Sequence, residues 1–342
     1  MPKEKKKAYL INLIGILLIF ALLVILLDTP LLGRQVNYIS GIATMAMITI
    51  VMVCSLNLIT GFMGEFSLGH AGFMSIGAYT SAMVTIAIGE AGISLPNGLL
   101  FLIAIAVGGI SAAFMGFLVG VPALRLKGDY LAIVTIAFAE IVRVVWTNIP
   151  AAGGGKTLSG IAKVSDFHLV FWVMVISVTV MYMFVRSRYG RIVKAIREDD
   201  IVAAASGIDV TYYKVLTFTI SAFFAGIGGA MYSHYLTSLI STKFSFMYSA
   251  EFLTMVILGG TGSLTGSVVG AAILASLPEV LRSFQSYRML MYSIVLVLVM
   301  IFKPGGLFGT YEFSLTKLLL RLKNGKPDVK KKEALKGGVV HD

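Results

Sequence analysis

AEFLTMVILGGTGSLTGSVVGAAILASL, residues 250–277, is the stretch on which the fold depends. It is apolar almost throughout, yet Gly259, Gly260, Gly262 and Gly266 interrupt it. Read as one helix it is over-long and glycine-broken. Read as two helices around GGTGSLTG, each half has about 11 residues and reaches about 17 Å, well short of a bilayer core of about 30 Å. Charge decides between the readings. The KEKKK run at 3–7 and the tail residues Lys317, Arg321, Lys323 and Lys330 to Lys332 belong on the cytoplasmic side, where positive charge orients membrane helices. Both ends inside require an even number of crossings. Apolar runs predict spans near 9–27, 39–59, 67–88, 98–120, 129–147, 168–185, 213–235 and 289–302. Counting 250–277 once leaves the basic tail outside; counting it twice returns the tail inside. The sequence therefore predicts an all-α, polytopic transmembrane helix bundle of about ten membrane segments, including a glycine-broken pair at 250–277. Residues 1–310 form the membrane domain and 311–342 a basic cytoplasmic tail.

Composition points to the same solvent. Of 342 residues 57% are hydrophobic and only 13% charged, and the mean hydropathy is +0.89, too little polar surface for a domain of this size in water. The net charge of +11 sits in the N-terminus, the 186–197 loop and the tail, which is the distribution of an oriented membrane protein and not of a nucleic-acid binder. The run 9–27 is long enough to span and no small-residue cleavage site follows it, so it reads as an uncleaved first span. In this topology the 186–212 loop is cytoplasmic, with Arg186, Arg188, Arg191, Lys194 and Arg197. So is the 121–128 loop, with Arg125 and Lys127. The glycine-rich 148–167 loop lies outside.

Small residues recur every fourth position in three places: Gly108, Ala112, Gly116 and Gly120; Ser221, Ala225, Gly229 and Ser233, beside Ala222, Gly226 and Ala230; and Gly262, Gly266 and Gly270. That spacing puts each set on one helix face, where backbones pack closely. Irregular backbone at membrane depth survives only when buried in protein or facing a wet cavity, so 259–266 is a candidate wall of a route across the membrane.

Several chemistries are excluded. PAAGGGKT at 150–157 lacks the first glycine of a phosphate loop and lies on the outer side. The lone Cys54 builds no disulfide or thiolate site, and His168, His234 and His341 show no metal-ligand spacing, so no metal is expected. Ser67 and His70 are three apart and could share a helix face, but no activated-serine motif surrounds them. No catalytic residue and no cofactor are therefore assigned. Glu140 and Arg143 are spaced to pair on one helix, with Arg143 close to the outer end of the span, and acidic groups at the midplane are too scarce to favour ion-coupled transport. The loop SRYGRIVKAIREDDIVAAASGID, 187–209, alternates Lys194, Arg197 and Glu198 with Ala195, Ile196, Ile201 and Ala203 to Ala205, and Gly207 is a sensible stop. It reads as one or two short amphipathic helices, which serve equally as a docking knob or as a solvated connection.

At this point four blocks carry a resemblance: NLITGFMGEFSLGHAGFMSIGAY (57–79), LKGDYLAIVTIAFAEIVRVVWTN (126–148), SRYGRIVKAIREDDIVAAASGIDVTYYKVLTFTISAFFAGIGGAMY (187–232) and VILGGTGSLTGSVVGAAIL (256–274). The chain resembles the LivM-type permeases of branched-chain amino acid ABC importers. Pro304-Gly305-Gly306-Leu307 departs from the family's Pro-Arg-Gly-Leu, and the 150–160 block is looser. The resemblance implies a subunit of a bacterial or archaeal plasma membrane importer, with both termini cytoplasmic and no ATP site of its own. The implied partners are a sister permease, two ATPase subunits that hold ATP and Mg, and an extracytoplasmic binding protein. It implies that Arg191, Lys194, Ala195, Ile196, Arg197, Glu198, Asp199, Ala203 and Gly207 form the ATPase-coupling segment, with Arg197 and Glu198 making polar contacts and Ile and Ala filling a groove. Pathway candidates are Ser67, His70, Tyr130, Thr135, Gly259, Gly260 and Gly262. Related permeases carry urea or short amides, and these, like a self-sufficient ion-coupled transporter, are the alternatives to branched-chain amino acids.

Overall fold

The structure, a computed structural model, describes residues 36–281 apart from Lys127, and scattered positions between 287 and 309. The spans expected at 9–27 and over most of 289–302, and the tail 311–342, lie outside the described residues. Chain contacts separate Ser40–Glu312 from a unit of Met1–Ile39 with Phe313–Asp342. The bundle below is the former.

Ten α-helices are described: α1 Val36–Asn57, α2 His70–Glu90, α3 Asn97–Ala123, α4 Asp129–Asn148, α5 Phe167–Arg186, α6 Arg188–Glu198, α7 Asp200–Ala205, α8 Val210–Leu236, α9 Phe246–Gly259 and α10 Leu264–Val280. A π-helical turn, Leu58–Met63, extends α1. Among the described residues the only strand-like pairing is a bridge between Leu158 and Leu239. Six helices, α1 with its π turn, α2, α3, α4, α5 and α8, are long and apolar enough to cross a membrane. The glycine-broken stretch holds α9 and α10, of 14 and 17 residues. At 1.5 Å per residue these reach about 21 and 26 Å, so neither counts as a span by length. The chain is thus all-helical with six spans described, against the ten segments expected.

Small residues explain how the helices meet. The closest pairs are α3 with α8, α2 with α8 and α2 with α3. The α3 stripe faces α8 in antiparallel order: a Cβ on Gly108 would stand 2.9 Å from the Ala230 Cβ, and one on Gly116 2.4 Å from the Ala222 Cβ. Gly77, Gly108 and Gly226 converge at the centre, where a Cβ on Gly77 would fall 2.3 Å from the Gly226 carbonyl oxygen and one on Gly226 2.2 Å from that of Gly108. No side chain fits there, and the backbones touch. The second α8 stripe turns to α1 and α2: the Ser221 hydroxyl donates to the Ser55 carbonyl at 2.6 Å, and Ser233 is hydrogen-bonded to Ser81 at 3.3 Å. The third stripe is corrected in part. Gly266 and Gly270 pack on Gly259, but Gly262 has φ +83° and lies in the turn before α10, so it shares no helix face with them.

Candidate functional site

The α6–α7 pair is built by its caps. Ser187 accepts the Gly190 amide at 3.3 Å to start α6, which the backbone of Gly190 allows to press against α5. Asp199 ends α6 and starts α7, its carboxylate accepting the Ile201 and Val202 amides at 2.9 and 3.0 Å. Gly207, at φ +82°, closes α7: its amide donates to the Ala204 carbonyl and that of Ile208 to the Ala203 carbonyl. This pairing satisfies the last carbonyls of the helix and requires a left-handed residue, as the position of Gly207 led one to expect. Gly190, Val193 and Ile196 form the buried face of α6, while Arg191, Lys194, Ala195, Arg197 and Glu198 are exposed.

Two of the expected groove-filling residues face inward: Ile196 and Ala203 are buried within this chain. The large apolar side chains that α7 leaves uncovered are Ile201, 72% exposed, and Val202, 60%, beside exposed Ala204 and Ala205. Arg197 is exposed, yet it too contacts its own chain. Its guanidinium donates to the Gly61 carbonyl in the π turn, and its stem lies on Gly64, where a Cβ would sit 2.9 Å away. A Cβ on Gly262 would stand 3.0 Å from the Arg197 Nη1. Beside it the Lys194 ammonium lies 5.1 Å from the Phe62 ring centroid, within cation–π range.

The π turn in turn grips the glycine turn. Asn57, fully buried at the end of α1, donates through Nδ2 to the Ser263 carbonyl at 3.0 Å and the Ser267 hydroxyl at 2.7 Å, and accepts the Gly262 amide through Oδ1 at 3.0 Å. A Cβ on Gly61 would lie 2.3 Å from the Gly262 nitrogen, so the two turns are in backbone contact. On its far side Gly260, at φ +121°, leaves no room for a Cβ against the Gly309 carbonyl, 2.4 Å away, and Gly306 packs on the Gly260 Cα. Glu65 and Lys214 form an ion pair, with side chains 14% and 12% exposed, that ties the segment after the π turn to α8. Four parts thus meet at one end of the bundle: α6, the 58–65 turn, the 260–263 turn and Gly306 with Gly309.

The pathway candidates fall into three places. Gly259, Gly260 and Gly262 belong to this junction. Ser67, His70 and Thr135 form a second, buried cluster: the Leu68 amide donates to the Thr135 hydroxyl at 3.1 Å, and Gly69 sits where a Cβ would be 2.4 Å from the Thr135 carbonyl oxygen. Residues 64–69 are not helical, so Ser67 and His70 share no helix face. The His70 Nε2 meets instead the Ser55 hydroxyl at 2.8 Å. That hydroxyl also reaches the Met52 carbonyl at 2.8 Å, and when its one proton goes there the imidazole donates to Ser55, the reverse of what a general base does. Tyr130 stands apart, 69% exposed on the outer face of α4. On that helix Glu140 and Arg143 form the expected pair, with Nε to Oε2 at 2.7 Å and side chains about one-third exposed.

Asn57, Gly61, Glu65 and Lys214 were not expected. Asn57 is a lone carboxamide at the end of an apolar run, and Glu65 a lone carboxylate between two runs; each signals a fixed partner, because lipid offers none.

A bundle of membrane-length helices whose one amphipathic helical pair is wired to a glycine turn between two short helices defines a multi-pass membrane protein of the transport class. Residues 38–303 match the family described as branched-chain amino acid transport system / permease component. The high-affinity branched-chain amino acid transport system permease protein LivM of Salmonella typhimurium is 34% identical, over 91% of this chain and 77% of that one. LivM of Escherichia coli K12 is 34% identical over 90% and 77%. The permease protein LivH of the corresponding system in Escherichia coli K12 is 25% identical over 75% and 89%. No solved structure matches the chain. The chain belongs to the branched-chain amino acid transport permease family.

Proposed function

We propose that this chain is the membrane-spanning subunit of an ATP-binding-cassette importer that moves leucine, isoleucine and valine into the cell by alternating access. In this reading it has ten membrane segments with both termini cytoplasmic, α9 and α10 forming two of them, within a membrane domain over 1–310 and ahead of a cytoplasmic tail over 311–342. It works beside a sister permease, two ATPase subunits that hold ATP and Mg, and an extracytoplasmic binding protein, in a bacterial or archaeal plasma membrane. It has no ATP site of its own. Relatives named for branched-chain amino acid transport support the substrate class.

The observation that carries the mechanism is the internal wiring of α6. A helix that only docked on a partner would need no polar contact with its own bundle. Here Arg197 is bonded to the Gly61 carbonyl, and through Asn57 the same turn holds 262–267. Ile201 and Val202 remain outward to enter the ATPase groove, with Arg191, Lys194 and Glu198 at its rim. Closure of the ATPases then displaces α6, and the displacement passes to the π turn and the α9–α10 turn without crossing a flexible loop. The test is a mild-detergent pull-down of the tagged chain, followed by reconstitution. Co-purification of two ATPases and a second permease, with ATP-dependent leucine uptake on addition of the binding protein, is expected. A chain that purifies alone and carries leucine down an ion gradient without ATP would overturn the proposal.

A further inference from the structure

Within the six spans, leaving out the first and last five residues of each, Glu140 and Arg143 are the only Asp, Glu, Lys or Arg residues. By helix rise Glu140 stands about 16 Å from the start of α4 and about 12 Å from its end, too deep for its short side chain to reach a membrane surface. The pair nevertheless lies on the uncovered face of α4, with Ile133, Ala137, Ile141 and Val144. The uncovered faces of α3 and α5 are different: at depth they carry Leu102, Ile110, Phe114, Ile176 and Val180, side chains suited to lipid. Charge at depth faces protein or water, not acyl chains.

The pair is also incompletely used. Only Nε of Arg143 and Oε2 of Glu140 are engaged with each other, and among the described residues nothing bonds the Arg143 Nη groups or the Glu140 Oε1. A guanidinium fork and a carboxylate oxygen, side by side, complement the carboxylate and ammonium of a free amino acid. An open apolar groove of about 450 Å³ between α3 and α4, lined by Pro122, Val134, Ala137, Phe138 and Ile141 among others, lies on the same stretch of α4, although neither Glu140 nor Arg143 lines it.

We infer that this face of α4 is the wall of the transport path, where Glu140 takes the ammonium and Arg143 the carboxylate of a zwitterionic amino acid whose apolar side chain rests in that groove. This rests on the importer reading above and assigns its substrate contact. The opposing wall comes from the second permease, which the same charges would suit only if the space between were wet.

The test uses the reconstituted importer with its binding protein. Glu140→Gln and Arg143→Gln are each expected to slow leucine uptake about ten- to a hundredfold, the loss of a charge-assisted contact, with subunit association unchanged. The exchange Glu140→Arg with Arg143→Glu keeps an ion pair but reverses its sense, and uptake is expected to stay impaired; full recovery would make the pair structural and overturn the assignment. Thiol labelling is independent of those variants, because Cys54 is buried. Ala137→Cys and Ile141→Cys should react with a charged, membrane-impermeant thiol reagent and be protected during leucine transport, while Ile110→Cys and Ile176→Cys should not react. Unreactive cysteines at 137 and 141, or their crosslinking to the sister permease without labelling, would show a dry face and refute the path. Wild-type complex that takes up no leucine with ATP removes the importer reading; wild-type uptake with unaffected variants removes only this one.

Discussion

Replacing Asn57 with alanine isolates the bond between α1 and the α9–α10 turn. The side chain makes three hydrogen bonds, but their loss is unequal. The Ser263 carbonyl keeps the Ser267 amide at 3.0 Å and the Ser267 hydroxyl at 3.1 Å. The Ser267 hydroxyl keeps that same carbonyl. Only the Gly262 amide, whose acceptor is Asn57 Oδ1, is left without a partner. A stranded amide of this kind costs about 1–3 kcal/mol, and the vacated space beside Gly61 adds about 1 kcal/mol more. The turn should therefore open more readily by about 2–4 kcal/mol, or some thirtyfold to several hundredfold in its opening equilibrium. Hydrogen exchange of peptides over 259–266, followed by mass spectrometry, reads this directly. Peptides over the core of α8, remote from the turn, serve as the control. Exchange across 259–266 that accelerates less than about threefold, with α8 unchanged, would refute the view that Asn57 holds the turn. In the reconstituted importer the same variant should retain ATPase association and lose uptake.

Arg197→Glu should leave the chain inserted and bound to its ATPases, yet uncouple hydrolysis from uptake, since it removes the donor to the Gly61 carbonyl and sets a carboxylate against it; normal uptake would sink the role. Ile201→Asp, at a site 72% exposed, should leave thermal stability within about 0.5 kcal/mol and weaken co-purification of the ATPases, which pull-down measures. Gly226→Ala places a methyl carbon 2.2 Å from the Gly108 carbonyl oxygen and should lower stability by about 3 kcal/mol or abolish assembly. Gly89→Ala meets nothing within 4 Å and should be silent in the same melting assay in detergent.

The spans at 39–59, 98–120, 129–147, 168–185 and 213–235 were legible because an apolar run long enough for a bilayer has few alternatives. Their ends were not. The span read from residue 67 begins as helix at His70, because Gly64 takes φ +80° and the non-helical chain from there to Gly69 places the Leu68 amide on Thr135. Nothing in a hydropathy profile marks that segment. Apolar length alone also could not count α9 and α10, whose 14 and 17 residues fall between a buried helix and a span. The caps of the 187–209 loop were legible as Ser, Asp and Gly at fixed offsets. The bond of Arg197 to the Gly61 carbonyl was not, since a charge in a basic loop reads as solvated until its acceptor, 136 positions earlier in the chain, is known. The same separation hid Asn57, whose partners lie more than 200 residues away.

The glycines at 77, 108 and 226 set a limit on how this protein can move. Sliding α8 by one residue, about 1.5 Å, would bring Ala225 or Ile227 round towards the Gly108 carbonyl, where even a methyl has no space. The three helices therefore mesh like gear teeth and cannot slip past one another. They can only tilt as a block, so any opening between them and the rest of the protein has to be taken up outside this three-helix contact.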